Sequence, residues 1–268
     1  MVIMLKIFLL LNLVSLGVVN SQGDSYDTKC SCTEVSPNGT FCMTYKCRTD
    51  QITKCFSSDS SVELKSITGQ QEQRKSMNHL QIGDQILVDI DKRGQRIYEP
   101  VYSFIHANRN GVYDYLKILI DNNLNRSLII SSNHLVFLFN QTQPCFAGHL
   151  KPGDQLQILS EQERFQIGLI KKIELIQSTG FFAPLTPSGK LIVDGVLVSN
   201  YAVVRSHRLA HLAMQPYRWW TQWNRSSVYS EKIHVYCRFL YEIIEMINKW
   251  IFSIDLYDGY VTVSSFSY

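Results

Sequence analysis

The chain has 268 residues, 45% hydrophobic and 18% charged, which excludes a polypeptide disordered throughout and allows a sizeable core. Its net charge of +3 is too weak to imply nucleic-acid binding. Seven cysteines are too few for a chain-wide disulfide scaffold, yet five of them fall between Cys30 and Cys55, with only Cys145 and Cys237 beyond.

Residues 1–21 carry Lys6, an apolar run from Ile7 to Val19 and then small or polar residues, the pattern of a cleaved secretory signal peptide. The run is short for a membrane span, and the chain is expected to enter an oxidising compartment. Sequons at Asn38, Asn125, Asn140 and Asn224 fit that route. Residues 22–54 form a short segment with Cys30, Cys32, Cys42 and Cys47. It is too small for an apolar core of its own, so two disulfides are its expected staple, with three pairings open.

From Cys55 to Val204 the texture becomes β-rich. Short strands are predicted at 85–90, 101–106, 115–120, 127–130, 135–139, 155–159, 191–193 and 196–198, with turns such as Asn108-Arg-Asn-Gly111 between them. His79-Leu-Gln-Ile-Gly83-Asp84 resembles His149-Leu-Lys-Pro-Gly153-Asp154, which suggests a duplicated β unit with pseudo-twofold symmetry. After Val204 the pattern turns helical: Ser206–Met214, then an aromatic run, then an amphipathic stretch over 233–251. All four tryptophans lie beyond residue 218, which suggests an apolar face or pocket, or else a seam between domains.

The chemistry starts at Cys55. A thiol at a domain's first residue can attack the carbonyl just before it, turning the Lys54–Cys55 amide into a thioester. That exchange runs uphill unless the fold strains the amide or protonates its nitrogen. Ser131-Ser-Asn-His134 can supply the proton: Ser-Ser-Asn favours a turn that brings positions 131 and 134 to one side, and His134 titrates near the working pH. His106 can serve as base toward the nucleophile that resolves the thioester. His207 and His211 have a metal-ligand spacing but no accompanying Glu motif, so structural hydrogen bonds are expected rather than a metal.

Taken together with the block Ala183–Val203, the spacing His207-x-x-Ala-His211-x-Ala-x-x-Pro216-x-Arg218 and the run Asn133-His134-Leu-Val-Phe, these motifs resemble the autoprocessing Hedgehog-related C-terminal (Hog) domain, whose core is the Hint module shared with inteins. The resemblance covers about residues 55–250. It implies an all-β, pseudo-twofold Hint fold at 55–204 and a helical, sterol-recognition-like region at 205–268. It also implies Cys55 as the nucleophile of an N–S acyl shift, with Ser131 and His134 activating the amide and His106 in the place of the family's acidic base. Attack of a cholesterol-like hydroxyl on the thioester would then leave the N-terminal segment as a sterol ester; the sterol is a co-substrate, and no cofactor or metal is implied. Trp219, Trp220, Tyr236 and Tyr241 are the sterol-region candidates. Processing is expected in the endoplasmic reticulum, followed by secretion, with the lipidated segment associating with membranes and meeting an unidentified receptor.

Three departures stand out. Lys54 replaces the family's Gly, Ser131 replaces Thr, and Asn200 replaces Cys, leaving Asn200 a possible auxiliary residue. Residues 22–54 are too few for the Hedgehog signalling domain, which implies a different small secreted head. Thioester hydrolysis, a non-sterol adduct or an inactive Hint fold are the alternatives.

Overall fold

The computed structural model describes residues 30–47, 55–66, 73–121, 126–139, 141, 143–160, 164–223, 236–237, 239–240, 242–244, 254–263 and 265–266. The signal at 1–21, Lys54, Tyr241 and three of the sequons lie outside them.

The repeat noticed in the sequence becomes two copies of one turn. Each copy opens with a 3₁₀ turn, at Met77–His79 and at Ala147–His149, followed by a fully buried Leu80 or Leu150. Asp84 Oδ2 then accepts the Gln81 N–H at 2.8 Å, and Asp154 Oδ2 accepts the Lys151 N–H at 2.8 Å. Gly83 and Gly153 both sit at φ +95°, which a side chain resists. Their N–H groups donate at 2.8 Å to Val101 O and Ile170 O. A Gly-Asp pair is thus the local code for turning the chain into a strand, and it is used twice.

The first sheet holds the hairpin of β1 (Cys30–Val35) and β2 (Cys42–Cys47). The second starts with β3 (Ser61–Leu64), β4 (Gln73–Ser76), β5 (Gln85–Ile90) and β6 (Arg96–Pro100). It continues with β7 (Ser103–Asp121), β8 (Ser127–Ile130), β9 (His134–Val136), β10 (Cys145–Phe146), β11 (Gln155–Leu159), β12 (Phe165–Leu185), β13 (Lys190–Val193) and β14 (Val196–Ala202). Helices α1 (His207–Ala213) and α2 (Gln215–Trp223) follow, and then β15 (Tyr260–Thr262) and β16 (Ser265–Phe266). The main path runs β6-β5-β3-β13-β14-β11-β12-β7-β8, with β4 on β3, β9 on β14, β10 on β9 and β16 on β12. This is the all-β architecture expected, with helices after it.

Two details correct the strand-by-strand expectation. The strands at 101–106 and 115–120 are one 19-residue strand, β7, paired along its length with the 21-residue β12. Asn108-Arg-Asn-Gly111 does not reverse the chain. Asn108 Oδ1 accepts the Asn110 N–H at 2.8 Å and Gly111 takes φ +87°, opposite a register shift between Thr179 and Phe181. The bulge absorbs the turn-forming residues as a bend within a continuous ladder. The second correction concerns the region beyond Val204. It is helical at first, including residues 236–237, 239–240 and 242–244, but returns to strand in β15 and β16.

The core gathers both halves. Phe56, Phe104, Leu116, Ile130, Leu135, Phe146 and Phe182 are buried in one cluster. Phe182 sits at the crossing, bridging both Cys55 and Phe56. Phe182→Ala should cost about 3–5 kcal/mol through lost transfer energy plus a cavity, read as a lowered urea midpoint with an unchanged slope.

Candidate active site

Cys55 is almost completely buried and carries a thiol, not a disulfide. Its φ of +48° lies in the left-handed region, where a non-glycine residue costs on the order of 1–3 kcal/mol. The surroundings hold it there. Phe56 N–H donates to Phe182 O at 3.1 Å, Phe182 N–H returns a bond to Phe56 O at 2.9 Å, and Ser131 N–H donates to Cys55 O at 2.9 Å. The strain therefore sits at the residue whose nitrogen belongs to the Lys54–Cys55 amide.

The turn after β8 brings the second group. His134 N–H donates to Ser131 O at 3.1 Å, closing the turn that the Ser-Ser-Asn run favours. Ser131 Oγ donates to Asn133 Oδ1 at 2.9 Å, so Ser131 reaches Cys55 through its backbone N–H rather than its hydroxyl. The His134 ring lies edge-on to Phe56, with centroids 4.6 Å apart. Its Nε2 is 2.6 Å from Ser199 O; a carbonyl only accepts, which assigns the proton to Nε2 and a lone pair to Nδ1. Nδ1 is buried with no hydrogen-bond partner among the described residues.

Burial lowers the His134 pKa from 6.5 to about 4, against a small opposing pull from the Ser199 carbonyl. The expectation that His134 titrates near neutral pH is therefore corrected: complete desolvation disfavours the imidazolium. The consequence for stability has a definite sign. Between about pH 6.5 and 4 the unfolded chain binds a proton at this position and the folded one does not, so stability rises with pH across that window. On the order of 3 kcal/mol should be lost on acidification through that window, and His207, lowered to about 4 chiefly by burial, acts in the same direction. Urea midpoints taken at several pH values through the window test this.

Around this pair stand residues that sequence reasoning missed. Tyr115 is fully buried; its hydroxyl donates to Gly180 O at 2.7 Å, and burial together with the neighbouring Cys55 holds its pKa well above the ordinary phenol. Ser199 links His134 to the helices: its carbonyl accepts from His134, while its hydroxyl lies 2.9 Å from His207 Nδ1. No local motif announces these roles, because they arise from strands distant in sequence.

The other candidates fall as follows. His106 is buried on β7 with its ring edge-on to Phe181 at 4.9 Å, next to Ala107, which pairs with Phe182. Asn200 is buried and its Nδ2 donates to Thr186 Oγ1 at 3.0 Å, so its side chain braces the 186–189 turn. His207 stacks on His211, whose Nδ1 meets the Tyr201 hydroxyl at 2.8 Å. Trp219 and Trp220 are exposed on α2, as are Leu209 and Leu212 on α1. Tyr236 instead faces inward: it stacks on Tyr217 at 5.6 Å and donates to Ala213 O at 2.6 Å. No helix among the described residues is long and apolar enough to cross a membrane.

Comparison with known proteins adds the lineage. A family model described as the Hint module matches residues 46–249. Tiggy-winkle hedgehog protein of Danio rerio is 31% identical over 170 residues, 61% of this chain and 39% of that protein. Sonic hedgehog protein of Xenopus laevis is 32% identical over 154 residues, covering 54% and 33%. The matched stretch is thus between a third and two-fifths of these relatives' length. Among solved structures, the gp41-1 intein aligns with 54% of this chain and 97% of its own at a TM-score of 0.41 and 18% identity.

Proposed function

The chain belongs to the Hint module family, an autoprocessing domain related to that of hedgehog proteins, and from that premise we propose that it cuts its own backbone at Lys54–Cys55 and passes the N-terminal segment to a sterol hydroxyl. The observation that carries the reading is the strained, buried Cys55 gripped by the same turn that presents His134.

In the first step Cys55 Sγ attacks the Lys54 carbonyl carbon. The thiol proton passes to His134 Nδ1, the C–N bond breaks, and the new imidazolium returns the proton to the departing Cys55 nitrogen. A group with a pKa of about 4 is a weak resting base but a strong acid once charged, which suits donation to a poorly basic amide nitrogen. Relief of the left-handed backbone at Cys55 offsets part of the uphill exchange. In the second step the sterol oxygen attacks the thioester carbonyl, the C–S bond breaks, and the hydroxyl proton returns the thiol. His106 is the base proposed for that step, with Ser131 orienting the scissile unit and Asn200 in an auxiliary, bracing part.

Support for a lipid acceptor comes from Leu209, Leu212, Trp219 and Trp220, four large apolar side chains exposed on two consecutive helices. Tyr236 stacks on Tyr217, which stacks in turn on Trp220 at 5.9 Å, and Tyr241 remains a candidate by its sequence position. The predicted signal at 1–21 and the Cys32–Cys42 disulfide support passage through the secretory pathway, with the lipidated head then held at membranes.

The test is expression of the full chain with sterol, followed by mass spectrometry of the released head. A Lys54 sterol ester is the expected result. A free Lys54 carboxylate would replace transfer by hydrolysis, and an intact chain even with hydroxylamine would overturn the cutting itself.

A further inference from the structure

The head does not stand apart from the domain proposed to cut it. β2 carries β1 on one edge and β15 on the other, so a strand from the far end of the chain completes the head's sheet. Tyr260 lies opposite Lys46, Val261 opposite Tyr45 and Thr262 opposite Thr44. Val263 N–H donates to Met43 O at 2.9 Å, and Lys46 Nζ sits 5.0 Å over the Tyr260 ring. Val261 and Val263 are buried, and Tyr45 packs against the main core.

The strap 254–263 is itself tied to the catalytic turn. Tyr257 N–H donates to Val203 O at 2.9 Å, and Val203 N–H donates to Asn133 O at 3.0 Å. Arg205 N–H donates to Asp255 O at 2.9 Å, and their side chains form an ion pair at 3.0 Å. Tyr257 packs on Phe146 at 5.1 Å, over Gly148, where any Cβ would lie 2.3 Å from the tyrosine hydroxyl. Gly148 N–H in turn donates to Ser132 O at 2.7 Å.

The geometry points to residues 254–263 as a docking strand whose occupant is the chain's own segment 30–47, so that the head stays bound by β-pairing after the covalent link is cut. This rests on the proposed cut at Lys54–Cys55. The pairing joins the pieces on either side of that bond, and a main-chain ladder with alternate side chains buried is how an edge strand captures an extended partner. Holding the head there delays its escape until the strands separate.

A site-specific protease sequence inserted between Ile52 and Thr53 of the full-length Cys55→Ala chain makes the cut without autoprocessing, under non-reducing conditions that keep Cys32–Cys42 closed. On gel filtration at micromolar concentration the head should co-elute with the remainder of the chain. Val263→Pro, which removes the N–H given to Met43, should weaken retention at least tenfold. Lys46→Glu, on the exposed face of the head, should weaken it several-fold with the thermal midpoint of the whole chain unchanged. A head that elutes alone from the parent protein, or retention indifferent to Lys46→Glu and Val263→Pro alike, would overturn the docking strand. The wild-type self-cleavage assay reports separately on the proposed cut.

Discussion

Cys55→Ala should leave the chain intact under conditions in which hydroxylamine splits the wild-type protein into two fragments. Hydroxylamine captures a thioester and does not reduce the Cys32–Cys42 disulfide, so the readout on a non-reducing gel is clean. The alanine removes the only atom at that position able to form the acyl bond, and the expected loss is complete. The substitution should not unfold the domain. Cys55 contributes one small buried atom beyond Cβ, and its backbone is held by bonds from Phe56 to Phe182 and from Ser131 that the change leaves in place. Cys55→Ser gives a graded companion: a hydroxyl can make the corresponding ester but is far less nucleophilic than a thiol, so cutting should slow by at least about tenfold. Fragments from Cys55→Ala at the wild-type rate would assign the cut to another nucleophile.

His134 carries the second large effect. His134→Ala should slow thioester formation by about 10²–10⁴-fold, the range for a positioned acid–base group. Alanine would also strand the Ser199 carbonyl that now accepts from Nε2 at 2.6 Å, so a fall in rate with alanine alone could reflect a loosened β14. His134→Gln separates the two. Its amide N–H can satisfy Ser199 while offering no proton to the leaving nitrogen. Glutamine should therefore restore much of the thermal midpoint but not the rate. Recovery of both together would reduce His134 to a positioning residue.

The two tests bear differently on the sequence. Cys55 and His134 could be picked out as candidates because the proposed chemistry needs a thiol beside the scissile amide and an imidazole after a turn, and both are short-range patterns. Ser131-Ser-Asn predicts the turn, and the turn is closed by the His134 to Ser131 bond. The acidity of His134 was not legible: it follows from complete burial, with Phe56 packed on its ring, and prevails over the opposing pull of the Ser199 carbonyl; both residues are far from it in sequence. The same holds for Ser131, whose hydroxyl points to Asn133 while its amide reaches Cys55. Tyr115 and Ser199 stayed hidden because a Tyr or Ser inside an apolar strand looks like ordinary packing.

The sequence by itself determined the class of the fold and singled out Cys55 as the candidate nucleophile. Repeated Gly-Asp turns, alternating β patterns and a cysteine where the β-rich texture begins are local signals, and local backbone chemistry decides them. Only the tertiary structure decided which strands meet. Asn108–Gly111 reads as a turn until β12 is laid beside it, when a bulge makes it a bend. The head's cysteines allow three pairings until β1 and β2 align. Their register then sets Cys30 opposite Cys47, and Cys32 bonds Cys42. Strand β15, three residues with no local signature, becomes the strip that holds the head. Pairing energy belongs to two strands at once, so it cannot be read from either alone.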